Sequence, residues 1–200
     1  MKIFLIRHGE KQHIDSTKYS DKINVGLTDL GIKQVKTLAK FLSKNYPQFK
    51  NFDLIYSSPI TRAAQTGQII KDILKIKNIE FVEILREFVP TKDYSLNASV
   101  RERLYLEAFN NRVFDSLSQK VLDFFKSKFN QQTQFLLVSA HGALIRNTIY
   151  YLFPKIRPSP DKILDAKIFH GGLTIIDYDG QNFTLEKFNF ADYLKKFKTK

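Results

Sequence analysis

Short apolar runs rich in β-branched residues alternate along the chain with segments whose apolar positions recur every three or four residues. The first pattern predicts buried strands and the second amphipathic helices. Their alternation predicts an α/β fold with a largely parallel sheet. The clearest strands are residues 2–7 (KIFLIR), 53–57 (DLIYS), 79–84 (IEFVEI), 135–140 (FLLVSA) and 173–178 (LTIIDY). A last strand, 182–188 (NFTLEKF), follows the turn Asp179-Gly180, so it is expected to fold back antiparallel at an edge. Between strands, residues 28–46 place Val35, Leu38, Ala39 and Leu42 on one face, with Thr28 as N-cap and Pro47 as the stop. Residues 59–76 read as a helix with Ser58 as N-cap and Pro59 in its first turn. Residues 98–129 predict one or two helices, and a short helix follows Gly142. No repeat, low-complexity tract or linker interrupts this pattern. The expectation is one domain over 1–200, a three-layer αβα sandwich with a mostly parallel central sheet, an antiparallel edge strand and a helical excursion at about 88–130.

Composition narrows the classes. Two hundred residues can bury a sizeable core, and cysteine is absent, which excludes disulfides and thiolate metal sites. No apolar stretch reaches membrane-spanning length, so no membrane partner is expected. The apolar N-terminus is cut off by Arg7 and His8 and reads as a strand rather than a signal peptide, which leaves the cytoplasm as the default location. The formal net charge of +12 suits anionic partners. The lysines are spread along the whole chain and no nucleic-acid motif accompanies them, so no nucleic acid is expected as partner.

Three strands end in unusual polar residues. The first runs into Arg7-His8-Gly9-Glu10, the second into Ser57-Ser58-Pro59-Ile60-Thr61-Arg62, the fourth into His141-Gly142. In open parallel sheets, ligands bind beyond the carboxyl ends of the strands. All three sets are therefore expected on one edge, where two histidines and two arginines make a pocket for a tetrahedral dianion. Arg62 in a first helical turn opposes the helix dipole by about 0.3–1 kcal/mol. A bound anion removes that conflict; an outward-facing salt bridge is the other reading. Gly9 lets backbone approach a ligand, and the adjacent Arg7 disfavours an imidazolium at His8, keeping a ring nitrogen free to attack.

These motifs resemble those of the histidine phosphatase superfamily, the phosphoglycerate mutase-like proteins. The resemblance rests on Arg7-His8-Gly9-Glu10, on Leu27-Thr28-Asp29-Leu30-Gly31, on Tyr56 through Thr66, on Leu85-Arg86-Glu87, on His141-Gly142 and on Gly171-Gly172-Leu173 before the final hairpin. It spans nearly the whole chain in the family's order. It implies a phosphatase acting on phosphate monoesters of small molecules, phosphoproteins being a further substrate class, through a phosphohistidine on His8. Arg7, Arg62, His141 and Gly142 would hold the phosphoryl group, and Glu87 would serve as proton donor. No metal or other cofactor is implied. Glu10 is expected to orient the site rather than react.

The sequence departs from the family after Glu87. Phe88-Val89-Pro90-Thr91-Lys92 replaces a tryptophan-containing stretch, and Glu83 is the competing acid. Mutases of the family carry a Ser-x-Trp-Asn extension after the first motif and Asn after the second His-Gly. Here Lys11-Gln12-His13-Ile14 and Ala143 stand in those places, which favours hydrolase over mutase. A non-catalytic phosphate-binding relative is the third reading. His13 is expected on the surface, Arg146 in a structural salt bridge, and His170 more outside the pocket than in it. At most one of Arg101 and Arg103 is expected to face the site.

Overall fold

The computed structural model describes residues 1–13, 24–89, 96, 98–130, 134–159, 162, 163 and 165–197. Ile14 and the stretch Pro90-Thr91-Lys92 considered above lie outside them. Strand β1 (Lys2–Arg7) is followed by helix α1 (Asp29–Asn45), β2 (Leu54–Ser57), α2 (Thr61–Leu74) and β3 (Asn78–Phe81). Helices α3 (Ala98–Asn110) and α4 (Val113–Ser127) come next, then β4 (Phe135–Ala140), α5 (Gly142–Leu152), β5 (Leu173–Tyr178) and β6 (Phe183–Phe190). Among the described residues no helix is long and apolar enough to cross a membrane.

The strands form one mixed sheet in the order β3-β2-β4-β1-β5-β6. Strands β1 to β4 run parallel to one another where they pair, and β5 runs against β1. The hairpin at Asp179-Gly180 forms as expected and puts β6 at the edge, antiparallel to β5. Asp179 accepts from the backbone N–H groups of Gln181 and Asn182, and Gly180 has φ of 106°, which a Cβ would strain. The reversal of direction thus falls one strand further in than the sequence pattern implies.

Period-two alternation in the central strands divides the core between the two sheet faces. Phe4, Ile6, Ile55, Leu137 and Ile175 meet Val35, Leu38, Leu42, Ile70 and Leu74 of α1 and α2. On the other face Ile3, Leu5, Val138 and Ile176 meet Phe109, Val121, Leu122, Phe125, Leu144 and Ile149 of α3, α4 and α5. The layers are therefore α, β, α. Burying each large side chain contributes about 1.5–3 kcal/mol.

Local rules set most boundaries. The Thr28 hydroxyl accepts from Gly31 N–H at 3.0 Å, capping α1, and donates to the Glu10 carboxylate at 2.9 Å. Thr28→Ala is expected to cost about 1 kcal/mol. Urea unfolding would read that as a lower midpoint at unchanged slope; an unchanged midpoint would contradict the capping role. The excursion is two helices, broken where Arg112 adopts left-handed φ of 54°.

Two expected boundaries move. Strand β3 stops at Phe81 and residues 83–85 form a 3-10 turn, because β2 ends at Ser57 and offers no ladder partner beyond the bond from Val82 N–H to Ser57 O. Helix α2 starts at Thr61, with extended Ile60 at its cap position and no side-chain cap. Ser58 is not the N-cap: its hydroxyl accepts from Ile60 N–H and is engaged elsewhere.

Candidate active site

Parallel pairing aligns the ends of the three central strands. Arg7 lies opposite Ala140, Ile6 opposite Ser139, and Ser57 opposite Ser139 as well. The next residues, His8, Ser58 and His141, therefore leave the sheet at the same level. Backbone bonds hold them there: His8 N–H donates to Ala140 O at 3.1 Å and Ser58 N–H to Ser139 O at 2.9 Å. Helices α2 and α5 both begin at this edge, adding the positive ends of two helix dipoles.

The His8 and His141 rings are 5.3 Å apart between centroids. His8 Nδ1 lies 2.7 Å from Gly9 O, and a carbonyl only accepts, so Nδ1 carries the hydrogen. Nε2 is then the lone-pair nitrogen. Arg62 Nε donates to it at 3.1 Å. Arg62 is 2 % exposed, sits in the first turn of α2, and its terminal nitrogen also meets Glu87 Oε2 at 2.5 Å. Arg62 thus points inward rather than to the surface, and the carboxylate it meets is that of Glu87. Glu83 lies outside: its side chain is 75 % exposed and is bonded to Arg86.

Arg7 is held from the far side. One terminal nitrogen donates to Ile168 O, and the other donates to His170 Nε2 at 2.8 Å. Its Nε is buried without a partner among the described residues, and a Cβ on Gly142 would lie 3.1 Å from that nitrogen. Gly142 is thus needed for the close approach of Arg7 to the start of α5. The reason for Gly9 differs from the sequence expectation. A Cβ there would come within 2.5 Å of Gly31 O, so Gly9 serves the packing of the first motif against α1. Glu10 stays beside the site, its carboxylate on Thr28 and its N–H on Gln34.

Burial and like charge set the electrostatics. Burial pushes His8 well below the ordinary imidazole value, and His141, Arg7 and Arg62 push it further, outweighing the bond to Gly9. His141 is lowered to about 3, chiefly by burial; Arg62 and Arg7 add to this and Glu87 opposes it. Arg7 is lowered to about 10, first by burial and then by Arg62 and Arg146, against Glu87. Burial would raise the Glu87 carboxyl, but the positive groups around it outweigh that and hold it below the ordinary carboxylate value. Both histidines are therefore neutral at pH 7, and Glu87 is ionised.

His170 belongs to this cluster, against the sequence expectation. Its ring is 5.6 Å from that of His8, and burial, with Arg7 next, lowers it to about 3. Strand β5 is the cause. Because it runs against β1, its beginning lies at the carboxyl end of β1, with Leu173 opposite Ile6. Gly171 N–H then donates to the carbonyls of Arg7 and His8, and left-handed Gly171 (φ 68°) turns the chain into the strand. The Gly171-Gly172 pair was the available signal.

Arg146 also differs from expectation. Carbonyls of Ile163 and Ala166 and the Tyr105 hydroxyl accept its hydrogens, rather than a carboxylate. It fastens the segment that delivers Ile168 and His170. His13 is exposed, Arg103 is exposed near Glu107, and Arg101 acts on Lys11, which also feels Arg62 and Arg7.

The fold is shared with known proteins. The chain is 24% identical over 201 residues to a protein of Hydrogenobacter thermophilus that bears the name "Putative phosphoserine phosphatase 2", covering 94% of this chain and 95% of that one. It is 29% identical over 214 residues to a 2,3-bisphosphoglycerate-dependent phosphoglycerate mutase of Thermoplasma acidophilum, covering 98% of each. Its fold matches the phosphoserine phosphatase of Entamoeba histolytica solved with 3-phosphoglyceric acid, at a TM-score of 0.68, 24% identity, and coverage of 96% of this chain and 98% of that one. The family model of the histidine phosphatase superfamily, branch 1, matches residues 3–191. That match runs from the second residue of β1 past the end of β6 and takes in both histidine motifs, and the chain belongs to the histidine phosphatase superfamily.

Proposed function

We propose that this chain, acting as one domain, hydrolyses phosphate monoesters of small molecules through a phosphohistidine on His8, with no metal. The observation that carries this reading is the fixed tautomer of His8. Nδ1–H is tied to Gly9 O, and the Nε2 lone pair faces Arg62 within a cationic pocket.

Nε2 attacks phosphorus in line as the ester P–O bond breaks. Arg7, Arg62, His141 and the N–H groups at Gly142 hold the non-bridging oxygens and stabilise the charge that builds on them. Glu87 is the proton donor to the leaving oxygen. Its carboxylate is held below the ordinary value by the cations around it, but a phosphate dianion beside it opposes that charge, so Glu87 takes up a proton from solvent as the ester binds and gives that proton to the leaving oxygen. Once the alcohol has left, the same carboxylate takes a proton from the attacking water. Water then breaks the N–P bond, and His8 returns to its neutral form.

The esters named for the relatives given above, phosphoserine and phosphoglycerate, also carry a carboxylate, so a panel begins with these two. One inorganic phosphate per ester consumed is the expected result. The similarity to a phosphoglycerate mutase over 98% of both chains keeps transfer to a second phosphoglycerate as the alternative. Isomerised product without phosphate release would establish it. Glu87→Gln is expected to slow alkyl esters by about 10²–10⁴-fold and activated aryl phosphates far less. Equal slowing of both would rule out the proton-donor role.

A further inference from the structure

We propose that Ser58 is a positioning residue that fixes His141 as the Nδ1–H tautomer, so that His141 meets the phosphoryl group as a neutral hydrogen-bond donor. The identity of that anion rests on the phosphatase reading; the tautomer itself belongs to the free protein.

Ser58 and His141 are both fully buried, and His141 Nε2 lies 2.9 Å from Ser58 Oγ. The serine oxygen already accepts from Ile60 N–H at 3.2 Å. Two arrangements of hydrogens fit these contacts. In the first, the serine hydroxyl donates to Nε2, and the histidine hydrogen sits on Nδ1. Every polar atom then has a partner except Nδ1–H, which is buried and unpartnered among the described residues. In the second, Nε2–H donates to the serine. The hydroxyl hydrogen is then left buried with no acceptor among the described residues, and Nδ1 holds an unpaired lone pair as well.

Leaving a polar group unmade in a buried site costs about 1–3 kcal/mol, so one orphan is favoured over two. The arriving anion widens the difference. A phosphoryl oxygen accepts from Nδ1–H in the first arrangement and meets a lone pair in the second. The strong depression of His141 basicity agrees with a neutral ring. Neither partner is free to drift. Ser58 N–H is bonded to Ser139 O on β4, the strand that carries His141, so donor and acceptor share one rigid edge. The sequence alone offers Ser58 as a helix cap; its position one residue beyond the end of β2 gives it this use instead.

The experiment is nitrogen NMR of ¹⁵N-histidine-labelled protein at pH 7, with His141 assigned through His141→Gln. The expected result is a hydrogen on Nδ1 and a bare Nε2 in the free protein, with the Nδ1 signal moving on addition of inorganic phosphate. An Nε2–H tautomer or a doubly protonated ring in the free wild-type protein overturns the proposal. Ser58→Ala should mix the tautomers and weaken phosphate binding about tenfold. Ser58→Thr, which keeps the hydroxyl, should retain the single tautomer. An unmixed Nδ1–H signal in Ser58→Ala also overturns the proposal. Phosphate release from a substrate panel is a separate readout, so failure of the tautomer and failure of the phosphatase reading are told apart.

Discussion

His8→Ala is expected to lower kcat/KM for phosphate release by about a thousandfold or more. Its Nε2 is the nitrogen whose lone pair faces the cationic pocket, with Nδ1 committed to Gly9 O. His141 cannot take over, because its Nε2 is bound to Ser58. His170 Nε2 accepts from Arg7 and is likewise committed. Rapid quenching of labelled substrate should trap a phosphoenzyme in the wild type and none in the variant. A variant that turns over normally, or that still traps phosphate on the protein, would remove His8 as nucleophile. The fold should survive, since the substitution takes a buried, poorly solvated ring away from Arg7 and Arg62.

Acid is expected to destabilise the protein steeply below about pH 6.5. His8, His141 and His170 are all held below the ordinary imidazole value in the folded state. Between the unfolded and folded values, the unfolded chain binds more protons, so stability falls as pH falls. For His141 and His170 the window opens near 6.5 and closes near 3. Each histidine contributes about 1.4 kcal/mol per pH unit inside its window. His170 is partly exposed, and solvent reduces its share. Glu87 acts in the same direction lower down: its folded value is depressed, so its stabilisation is present above the ordinary carboxylate value and fades as pH falls through the folded one. The measurement is urea unfolding from pH 7.5 to 5. His141→Gln should flatten the slope by about one proton, and a wild-type stability independent of pH over that range would contradict three neutral buried imidazoles.

These expectations draw unequally on sequence and structure. Strands 2–7, 135–140 and 173–178 were readable to the residue, because four or more consecutive buried positions leave no other periodicity. Thr28 was readable as a cap, since its requirement is local. The chemistry-bearing residues were readable as well. Arg7, His8, Arg62 and His141 stand at the ends of apolar runs, and the parallel rule carries strand ends to one edge. Glu87 was preferred to Glu83 through the Leu85-Arg86-Glu87 resemblance, and the physical reason for separating them appears only in three dimensions. Both lie within four residues on one short connection, and the 3-10 turn at Glu83–Leu85 sends one to Arg86 and the other to Arg62.

The sequence by itself determined which residue types meet: strand periodicity and end-of-strand polar groups are local signals, and parallel pairing does the rest. Only the tertiary structure decided the direction of β5 and with it the place of His170, because strand direction depends on which neighbour the chain returns to. It alone decided the partner of the Ser58 hydroxyl too. A serine two residues before Ile60 satisfies a turn wherever it occurs, and only the register of β2 against β4 brings the same oxygen to His141.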